Sequence, residues 1–373
     1  MNNKKFMLPT ALAVFVSSAA MAGTSFQTPQ GTLSLGGDVE LDMLAAKNPT
    51  TAQTKDNWDI SGRILLNVAG ERIVSGNRFA SFQIQPLMHN NGTVDTDDAW
   101  FSFGQKDNWA FKVGRYEAYD MFPLGQDTFV DYGDSSKNNG FTDDVGYIYQ
   151  MKEGRGRAGK GGQAMFSKQA GQWYAEVSSL VGDSDNLFGN SVDTGKYHDV
   201  DVERKKDNFV VRPVLSWKSS TVTVAVGAET NLIDDAYVIT GTNTSVSKRT
   251  GFGSNAIWQA TPDLALTIRG AYLDAVDEKD YSVGPSMQYK GFFLSYIFAN
   301  NDISQGDTAL TDSSADIHTV YSSYKFSNVM DMDNFDVYLG AYWSQIKPQD
   351  GFGGLGDETQ ERYGGKVRFK YYF

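Results

Sequence analysis

The sequence predicts an all-β fold, a transmembrane antiparallel β-barrel of about 16 strands. Three observations support this prediction: a C-terminal strand with regular alternation, the same alternation along the rest of the chain, and connections that are short and long in turn. Barrel strands present side chains to lipid and to the lumen at alternate positions, so apolar residues recur with a period of two. We therefore read the chain as one closed sheet.

The N-terminal segment has the features of a secretory signal peptide. Lys4–Lys5 form a basic region, Phe6–Val16 form an apolar run, and Ala20–Ala22 provides a small-residue cleavage motif. The run is shorter than the roughly 20 residues that a membrane-spanning helix needs, so a membrane anchor is the less favoured interpretation. We expect cleavage between Ala22 and Gly23, which leaves residues 23–373 as a single barrel domain.

Residues of the C-terminal strand separate cleanly into two faces. One face consists of Tyr363, Gly365, Val367, Phe369, Tyr371 and Phe373, and the other of Arg362, Lys366, Arg368, Lys370 and Tyr372. At the edge of a soluble sheet, the apolar face would be an exposed ribbon that promotes aggregation. This strand therefore favours a barrel in a membrane.

The same alternation recurs from residue 33 onward. Strands are predicted near 33–43, 58–68, 78–88, 98–103, 108–116, 158–168, 172–181, 207–217, 221–229, 249–259, 264–272, 281–290, 291–299, 316–326, 335–346 and 362–373. Short connections such as 104–108, 170–171, 219–220, 260–263 and 290–291 alternate with long polar ones, which include 45–56, 118–157, 182–206, 231–248, 300–315 and 347–358. Short turns at one end and long loops at the other are typical of outer-membrane barrels.

Composition excludes several other classes of protein. The chain has 373 residues, a formal net charge of −12 and no cysteine. Binding to nucleic acid requires a basic surface that contacts phosphates, so nucleic acid is not an expected partner. An exported chain without cysteine has no disulfides. The closed sheet must therefore supply its stability.

The connection between residues 118 and 157, called the third connection below, is long enough to suggest a function. Its first half combines rings with carboxylates, at Tyr119, Asp120, Phe122, Asp127, Phe129, Asp131 and Tyr132. Aromatic rings can stack on sugar faces, and carboxylate oxygens can accept hydrogen bonds from hydroxyl groups. We expect this segment to contact solutes inside the barrel.

The segment Phe111–Tyr132 resembles the junction between the fifth strand and the third loop of Gram-negative porins. It is most similar to carbohydrate-selective glycoporins of the raffinose-porin type. The resemblance implies that the third loop folds into the lumen, that Tyr119–Tyr132 narrow the pore, and that three barrels associate. The C-terminal strand resembles the signature of outer-membrane proteins, in which the last strand, ending here at Phe373, is recognised by the assembly machinery. The implied function is passive diffusion of sugars across the outer membrane without a cofactor.

Strand parity predicts that several basic residues face the lumen. These are Arg63, Lys112, Arg212, Arg269, Lys366 and Arg368, and Arg155 and Arg157 in the third connection could add to them. A basic side chain facing lipid near the bilayer midplane would cost roughly 2–4 kcal/mol. Together with Asp120, Asp127 and Asp131, this basic wall would set a transverse field that orients polar solutes.

Two alternative functions are considered from the sequence. A general diffusion porin, which filters small hydrophilic solutes and ions by size and charge, would have the same overall fold. An enzyme in a barrel would need a catalytic set, but His89, His198 and His318 lie far apart in the sequence, and no catalytic or metal-binding spacing is evident. The segment Gly154–Gly161 resembles a nucleotide-binding loop in its glycine spacing. Gly161 occupies the position where such a loop needs Ser or Thr, so nucleotide binding is not expected.

Overall fold

The computed structural model describes residues 23–50, 53–126, 148–151, 162–182, 196–198, 200–306, 308, 310–354 and 356–373. In this part of the chain the strands are β1 (Gly23–Thr28), β2 (Gly31–Thr50), β3 (Gln53–Val74), β4 (Arg78–His89), β5 (Val94–Gln105), β6 (Trp109–Arg115), β7 (Gly162–Ala170), β8 (Trp173–Gly182), β9 (Lys196–Tyr197), β10 (Val200–Arg204), β11 (Asn208–Lys218), β12 (Val222–Asn231), β13 (Tyr237–Ile239), β14 (Arg249–Thr261), β15 (Leu264–Ala275), β16 (Glu278–Tyr289), β17 (Phe292–Ile303), β18 (Ser313–Phe326), β19 (Phe335–Gln349) and β20 (Gln360–Tyr372). Short 3-10 turns lie at Ser75–Asn77, Val329–Asp331 and Phe352–Gly354. No helix among these residues is long and apolar enough to cross a membrane.

Sixteen of the strands form one closed antiparallel barrel. They are β2–β8, β11, β12 and β14–β20; each pairs with the next along the chain, and β20 pairs with β2. The predicted all-β barrel of about 16 strands is therefore confirmed. Closure removes the free edges that an open sheet would present, so the backbone groups of every barrel strand have neighbours.

At the seam between the first and last barrel strands, β2 pairs with two strands placed end to end. Its residues 31–36 pair with β1 and its residues 38–47 pair with β20. Between these two stretches, Gly37 and Phe373 exchange backbone hydrogen bonds of 2.9 and 3.0 Å. A Cβ atom at Gly37 would lie 2.7 Å from the Phe373 ring, so a glycine at this position leaves room for the ring of the last residue. β1 precedes the first strand that the sequence predicts.

The expected contrast between short turns and long loops is found, with two differences. Residues 45–56 were expected to form a loop, but β2 and β3 continue as a paired hairpin as far as Thr50 and Gln53. The polar residues there belong to the paired ends of these two strands. At the same end of the barrel, a tight turn at Val276–Asp277 joins β15 to β16.

The alternation predicted for the wall is confirmed by the exposure of its side chains. On β2, Val39 is 37% exposed on the lipid side, whereas Glu40 is 7% exposed on the inner side. On β15, Ile268 is 54% exposed and the adjacent Arg269 is 1% exposed. The outward positions are thus apolar and the inward positions polar, as the lipid requires.

A buried apolar cluster fills one side of the barrel interior. It includes inward residues of β8, β11, β12, β15 and β17–β19, together with Met121, Phe122, Ile148, Tyr149 and Met151 of the third connection. The opposite side of the barrel, at β2, β3 and β20, carries charged inward residues instead. The interior is therefore asymmetric, with an apolar side and a charged side.

Two outer connections build a small sheet on the barrel. β10 pairs with β9 and with β13. Tyr197 is buried and its hydroxyl donates to Glu278 Oε2 over 2.8 Å, while Arg249 Nη1 lies 3.1 Å from the same oxygen. Burial raises the pKa of Tyr197 well above its usual value, so this phenol remains a hydrogen-bond donor.

Candidate functional site

The third connection leaves β6 and its described part lies against the inner wall. The backbone N–H of Tyr119 donates to Glu176 Oε1 over 2.9 Å, and its carbonyl accepts from the Arg212 guanidinium. The Tyr119 hydroxyl lies 3.0 Å from the Ser216 hydroxyl. Burial raises the pKa of Tyr119, so the hydroxyl stays protonated at neutral pH. Both backbone polar groups of Tyr119 thus have side-chain partners on β8 and β11.

A buried ion pair holds this part of the chain. Arg212 and Glu176 have side chains that are 0% and 1% exposed, and their charged atoms lie 3.2 Å apart. Arg212 also donates to the carbonyl of Met151, which belongs to the second described part of the same connection. One guanidinium therefore contacts both arms of the third connection, at Tyr119 and at Met151. Arg212 was predicted to line the lumen; its side chain is fully buried, and its contacts make it an anchor of this segment.

Further along the segment, Asp120 and Phe122 form a compact turn. The Phe122 N–H donates to Asp120 Oδ1 over 2.8 Å, and Asn255 on β14 donates to the Met121 carbonyl over 3.1 Å. Phe122 is fully buried, with the Arg269 guanidinium 5.3 Å from the centre of its ring. We expected the Phe122 ring to stack on sugars; its burial assigns it to anchoring instead.

Arg269 links this turn to the neighbouring strands β17 and β18. Its guanidinium donates to Ser295 Oγ over 2.6 Å and to the Tyr321 hydroxyl over 2.9 Å. Tyr321 in turn donates to the carbonyl of Leu124 over 2.6 Å. Arg269 was also predicted to line the lumen; like Arg212 it is buried, and it supports the third connection.

The segment ends its described course on β17 and β18. Gln126 donates to Ser323 Oγ over 2.9 Å and to the Gly291 carbonyl over 3.2 Å. Gly125 has a φ of +95°, and a Cβ atom there would lie 2.2 Å from the Phe293 ring. Only glycine combines this backbone conformation with such a close approach.

The returning arm is fixed by Tyr149. Its hydroxyl donates to Glu229 over 2.6 Å, and its carbonyl accepts a hydrogen bond from Ser282. A Cβ atom at Gly251 would meet the Tyr149 hydroxyl oxygen at 1.7 Å, so the wall strand needs glycine opposite this ring. The two described arms together contact inward residues from β8 to β18.

Lys112 and a pair of tyrosines occupy the wall beside this segment. Lys112 Nζ lies 4.3 Å from the Trp100 ring and 5.5 Å from the Tyr116 ring. The rings of Tyr119 and Tyr174 stack at 5.8 Å with an interplanar angle of 28°, and Tyr174 donates to Glu176 over 2.7 Å. Tyr174 was not among the predicted site residues, although its position two residues before Glu176 places both on the inner face of β8.

On the opposite side, charged residues form a set that we call the seam ladder. It consists of Asp38, Glu40 and Asp42 on β2, Arg63 on β3, and Lys366, Arg368 and Lys370 on β20. Arg368 contacts both Asp42 carboxylate oxygens at 2.7 Å and Glu40 at 2.8 Å.

The remaining members of the seam ladder are paired in the same way. Lys370 lies 3.1 Å from Glu40, and Lys366 lies 3.0 Å from Asp42. Arg63 lies 3.5 Å from Glu40 and 3.6 Å from Asp38. For Arg63, Lys366 and Arg368, the acids that pair with them come from the neighbouring strand β2 rather than from the third connection.

Several predicted residues fall in parts of the chain that the structure does not describe. These are the signal-peptide residues up to Ala22 and, in the third connection, Asp127, Phe129, Asp131, Tyr132, Arg155 and Arg157. Arg115, the last residue of β6, donates from Nε to the Asp97 carbonyl over 2.7 Å. The transverse field between the loop acids and the basic wall accordingly stays a prediction.

The three histidines lie apart from one another. His198 Nε2 is 3.3 Å from Glu278, and His318 Nδ1 is 2.8 Å from the Tyr296 hydroxyl. His89 ends β4. Within the described part of the chain, no three His, Cys, Asp or Glu residues are grouped closely enough to hold a metal ion.

The closed 16-stranded barrel, with its apolar outer face and its polar, charged inner positions, defines a porin, a channel for diffusion across the outer membrane. The chain belongs to the family described as porin-like glycoporin RafY, which matches residues 35–373. The resemblance stated from Phe111–Tyr132 and the C-terminal strand is thereby confirmed at the level of the family.

Solved structures share this fold. The outer membrane channel DcaP of Acinetobacter baumannii superposes with a TM-score of 0.64 at 11% identity, over 94% of this chain and 100% of that chain. Salmonella typhi OmpF, solved in complex with daunomycin, gives 0.60 at 11% identity over 93% and 100%. The anion-selective porin from Comamonas acidovorans gives 0.56 at 13% identity over 91% and 99%. No curated protein matches the sequence significantly.

Proposed function

We propose that this channel carries sugars of the oligosaccharide class into the periplasm by passive diffusion, without a cofactor. The observation that carries the proposal is the match of residues 35–373 to a glycoporin family. The interior supports it with stacked rings at Tyr119 and Tyr174 on one side and dense hydrogen-bonding groups on the other. Rings pack on the apolar faces of sugars, and charged groups bond their hydroxyls.

The third connection is proposed to form the constriction, with Tyr119, Asp120, Asp127, Phe129, Asp131 and Tyr132 at its centre and the buried Phe122 as one of its anchors. Support comes from the contacts of residues 116–126, which follow the inner wall from β8 to β18. Anchoring at Arg212 and Arg269 would hold the segment still while solutes pass. A rigid constriction gives a defined size limit.

Single-channel current in a planar bilayer, titrated with raffinose, sucrose and maltooligosaccharides, tests the sugar proposal. We expect saturable block of the current, strongest for the preferred sugar. Closure in three steps would support a homotrimer. A steady current at every sugar concentration would contradict sugar binding.

The second candidate is a general diffusion porin for small hydrophilic solutes and ions. The charged side chains of the seam ladder favour it, because fixed charges also filter ions. Liposome swelling with solutes of increasing size separates the two functions. For uncharged solutes, a general porin would show rates that depend on size alone, whereas a sugar channel would pass raffinose faster than other solutes of equal size.

We further propose that residues 1–22 direct export and are removed, and that the strand ending at Phe373 is recognised by the outer-membrane assembly machinery. Mass spectrometry of the mature protein should give Gly23 as the first residue. Removing Phe373 should lower the amount of assembled barrel in the outer membrane.

We also propose that the chain acts only as a channel and catalyses no reaction. Incubation of the protein with sugars, esters and peptides should leave these compounds intact.

A further inference from the structure

We propose that the seam ladder is the charge-selectivity element of the channel and favours uncharged, hydroxyl-rich solutes over ions of either sign. The inference rests on the proposed passage of sugars and assigns the residues that would make the lumen selective for them. It follows from three properties of the ladder: its spacing, its internal pairing and its position in the barrel.

The spacing places several hydrogen-bonding groups along one line. Asp38, Glu40 and Asp42 occupy alternate positions of β2, so their carboxylates recur roughly every 6.6 Å along the strand. The basic residues of β20 follow the same period, and the register pairs Glu40 with Lys370 and Asp42 with Arg368. A solute with several hydroxyl groups can therefore meet more than one rung at a time.

The pairing keeps the net charge of the ladder small. Each of its three carboxylates lies within 3.6 Å of a cationic nitrogen, and the distances run down to 2.7 Å. The field of such close pairs decays much faster than the field of separated charges. An ion of either sign is attracted by one partner of each pair and repelled by the adjacent one. A hydroxyl group can instead donate to the carboxylates and accept from the cations.

The ladder lies across the barrel interior from the described part of the third connection, and its carboxylate residues are at most 9% exposed. The described part of the third connection bonds to β8, β11, β14, β17 and β18, and β2, β3 and β20 lie on the other side of the closed barrel. Solutes that pass this segment travel beside the ladder. Arg63, whose side chain is 24% exposed, is its most accessible cation.

Liposome swelling with three solutes of similar size tests the inference: glucose, the anion glucuronate and the cation glucosamine. The parent channel should admit glucose faster than either ion. The variant Asp38→Asn/Glu40→Gln/Asp42→Asn keeps side-chain size but leaves the cations unbalanced. Its rate for glucuronate relative to glucose should rise about threefold, and its relative rate for glucosamine should fall.

Two controls isolate the charge balance. Asp42→Asn combined with Arg368→Gln removes one acid and one base, so the relative rates for both ions should stay close to those of the parent. Glu71→Gln combined with Lys106→Gln removes an ion pair of 2.8 Å outside the ladder and should change none of the rates. Retarded migration of the unheated barrel in gel electrophoresis confirms folding of each variant.

If the triple variant does not fold, Arg63→Gln provides the complementary test, and the relative rate for glucosamine should rise. Unchanged ratios in a folded triple variant, or a parent channel that admits either ion as fast as glucose, would overturn the inference. Absence of raffinose block in the parent would instead contradict the sugar proposal, while the swelling ratios would still decide the role of the ladder.

Discussion

The two sides of the barrel interior use ion pairs in opposite ways. On the β8–β11 side, Arg212 and Glu176 form a single pair from which solvent is excluded, and both contact the backbone of the third connection. At the seam, Arg63 and Arg368 belong to a row of pairs that remain partly accessible. The same residue types thus anchor a segment on one side and line a surface on the other. What differs is the part of the chain that packs over them.

Burial also decides how much each side depends on its charges. A buried charge that loses its partner keeps its desolvation penalty without compensation, so removing one partner is far more costly than removing both. A partly exposed pair is screened by water and contributes less. Loss of one charge should therefore lower the free energy of unfolding more on the anchored side than at the seam.

The largest effect is expected for Arg212→Met. The substitution leaves Glu176 charged and buried, and frees the carbonyl groups of Tyr119 and Met151. We expect the free energy of unfolding to fall by about 3–5 kcal/mol. Urea unfolding in lipid vesicles measures this loss, and the open-channel current should become noisier because the third connection is less firmly held.

A double variant provides the control for this experiment. Arg212→Met combined with Glu176→Leu removes both charges together and should recover a large part of the lost stability. If Arg212→Met were as stable as the parent, with an equally quiet current, the pair would not be the anchor of the third connection.

Gly125→Ala should have the next largest effect. Its φ is +95° and the added Cβ atom would meet the Phe293 ring, so we expect a loss of about 2 kcal/mol from strain and displacement of the ring. Gly76→Ala is the matched control, since Gly76 has a φ of +76° with no atom within 4 Å of the added Cβ. The difference in unfolding free energy between the two variants measures packing alone. Equal losses would contradict a close fit at Phe293.

At the seam, Asp42→Asn should cost less than the loss of Arg212. Asp42 accepts from Arg368 and Lys366, and these bonds are partly exposed to the lumen. We expect a decrease of about 1.5 kcal/mol in unfolding free energy. Removing Arg368 as well, by Arg368→Gln, should add little, because the two residues share the same interaction. A loss at the seam as large as that of Arg212→Met would remove the proposed difference between the two sides.

Most of the barrel could be predicted from the sequence because lipid imposes a strict rule on each strand. Alternation alone gave the inward orientation of Arg63, Arg269 and Arg368, since a charge facing lipid is too costly. The rule ends where the lipid ends. β1 has both faces exposed, and no alternation marked it as a strand. The polar residues 45–56 also lack a clear alternation. The sequence therefore predicts a loop where β2 and β3 in fact continue as paired strands.

The roles of the inward residues could not be predicted from parity. Parity indicates the side of the wall that a residue faces, but it does not indicate what covers that residue. Arg212 and Arg63 both lie on the inner face of the wall. Only Arg212 is covered by the described part of the third connection. The sequence around Phe122 suggested that its ring stacks on sugars. Its burial beneath Arg269 depends on a contact between positions 122 and 269, which are 147 residues apart in the chain.

The smallest effect is expected at the Tyr119–Tyr174 pair, and it concerns sugar affinity rather than stability. Tyr174→Ala removes one of two stacked rings, so raffinose block of the current should weaken by about fivefold, equivalent to about 1 kcal/mol. Tyr174→Phe retains the ring and loses only the hydrogen bond to Glu176, so block should remain close to that of the parent. If both variants weakened block equally, the hydroxyl rather than the ring would be the contact. Unchanged block in both would leave sugar binding to the seam ladder, which would then have to be the main contact surface of the lumen.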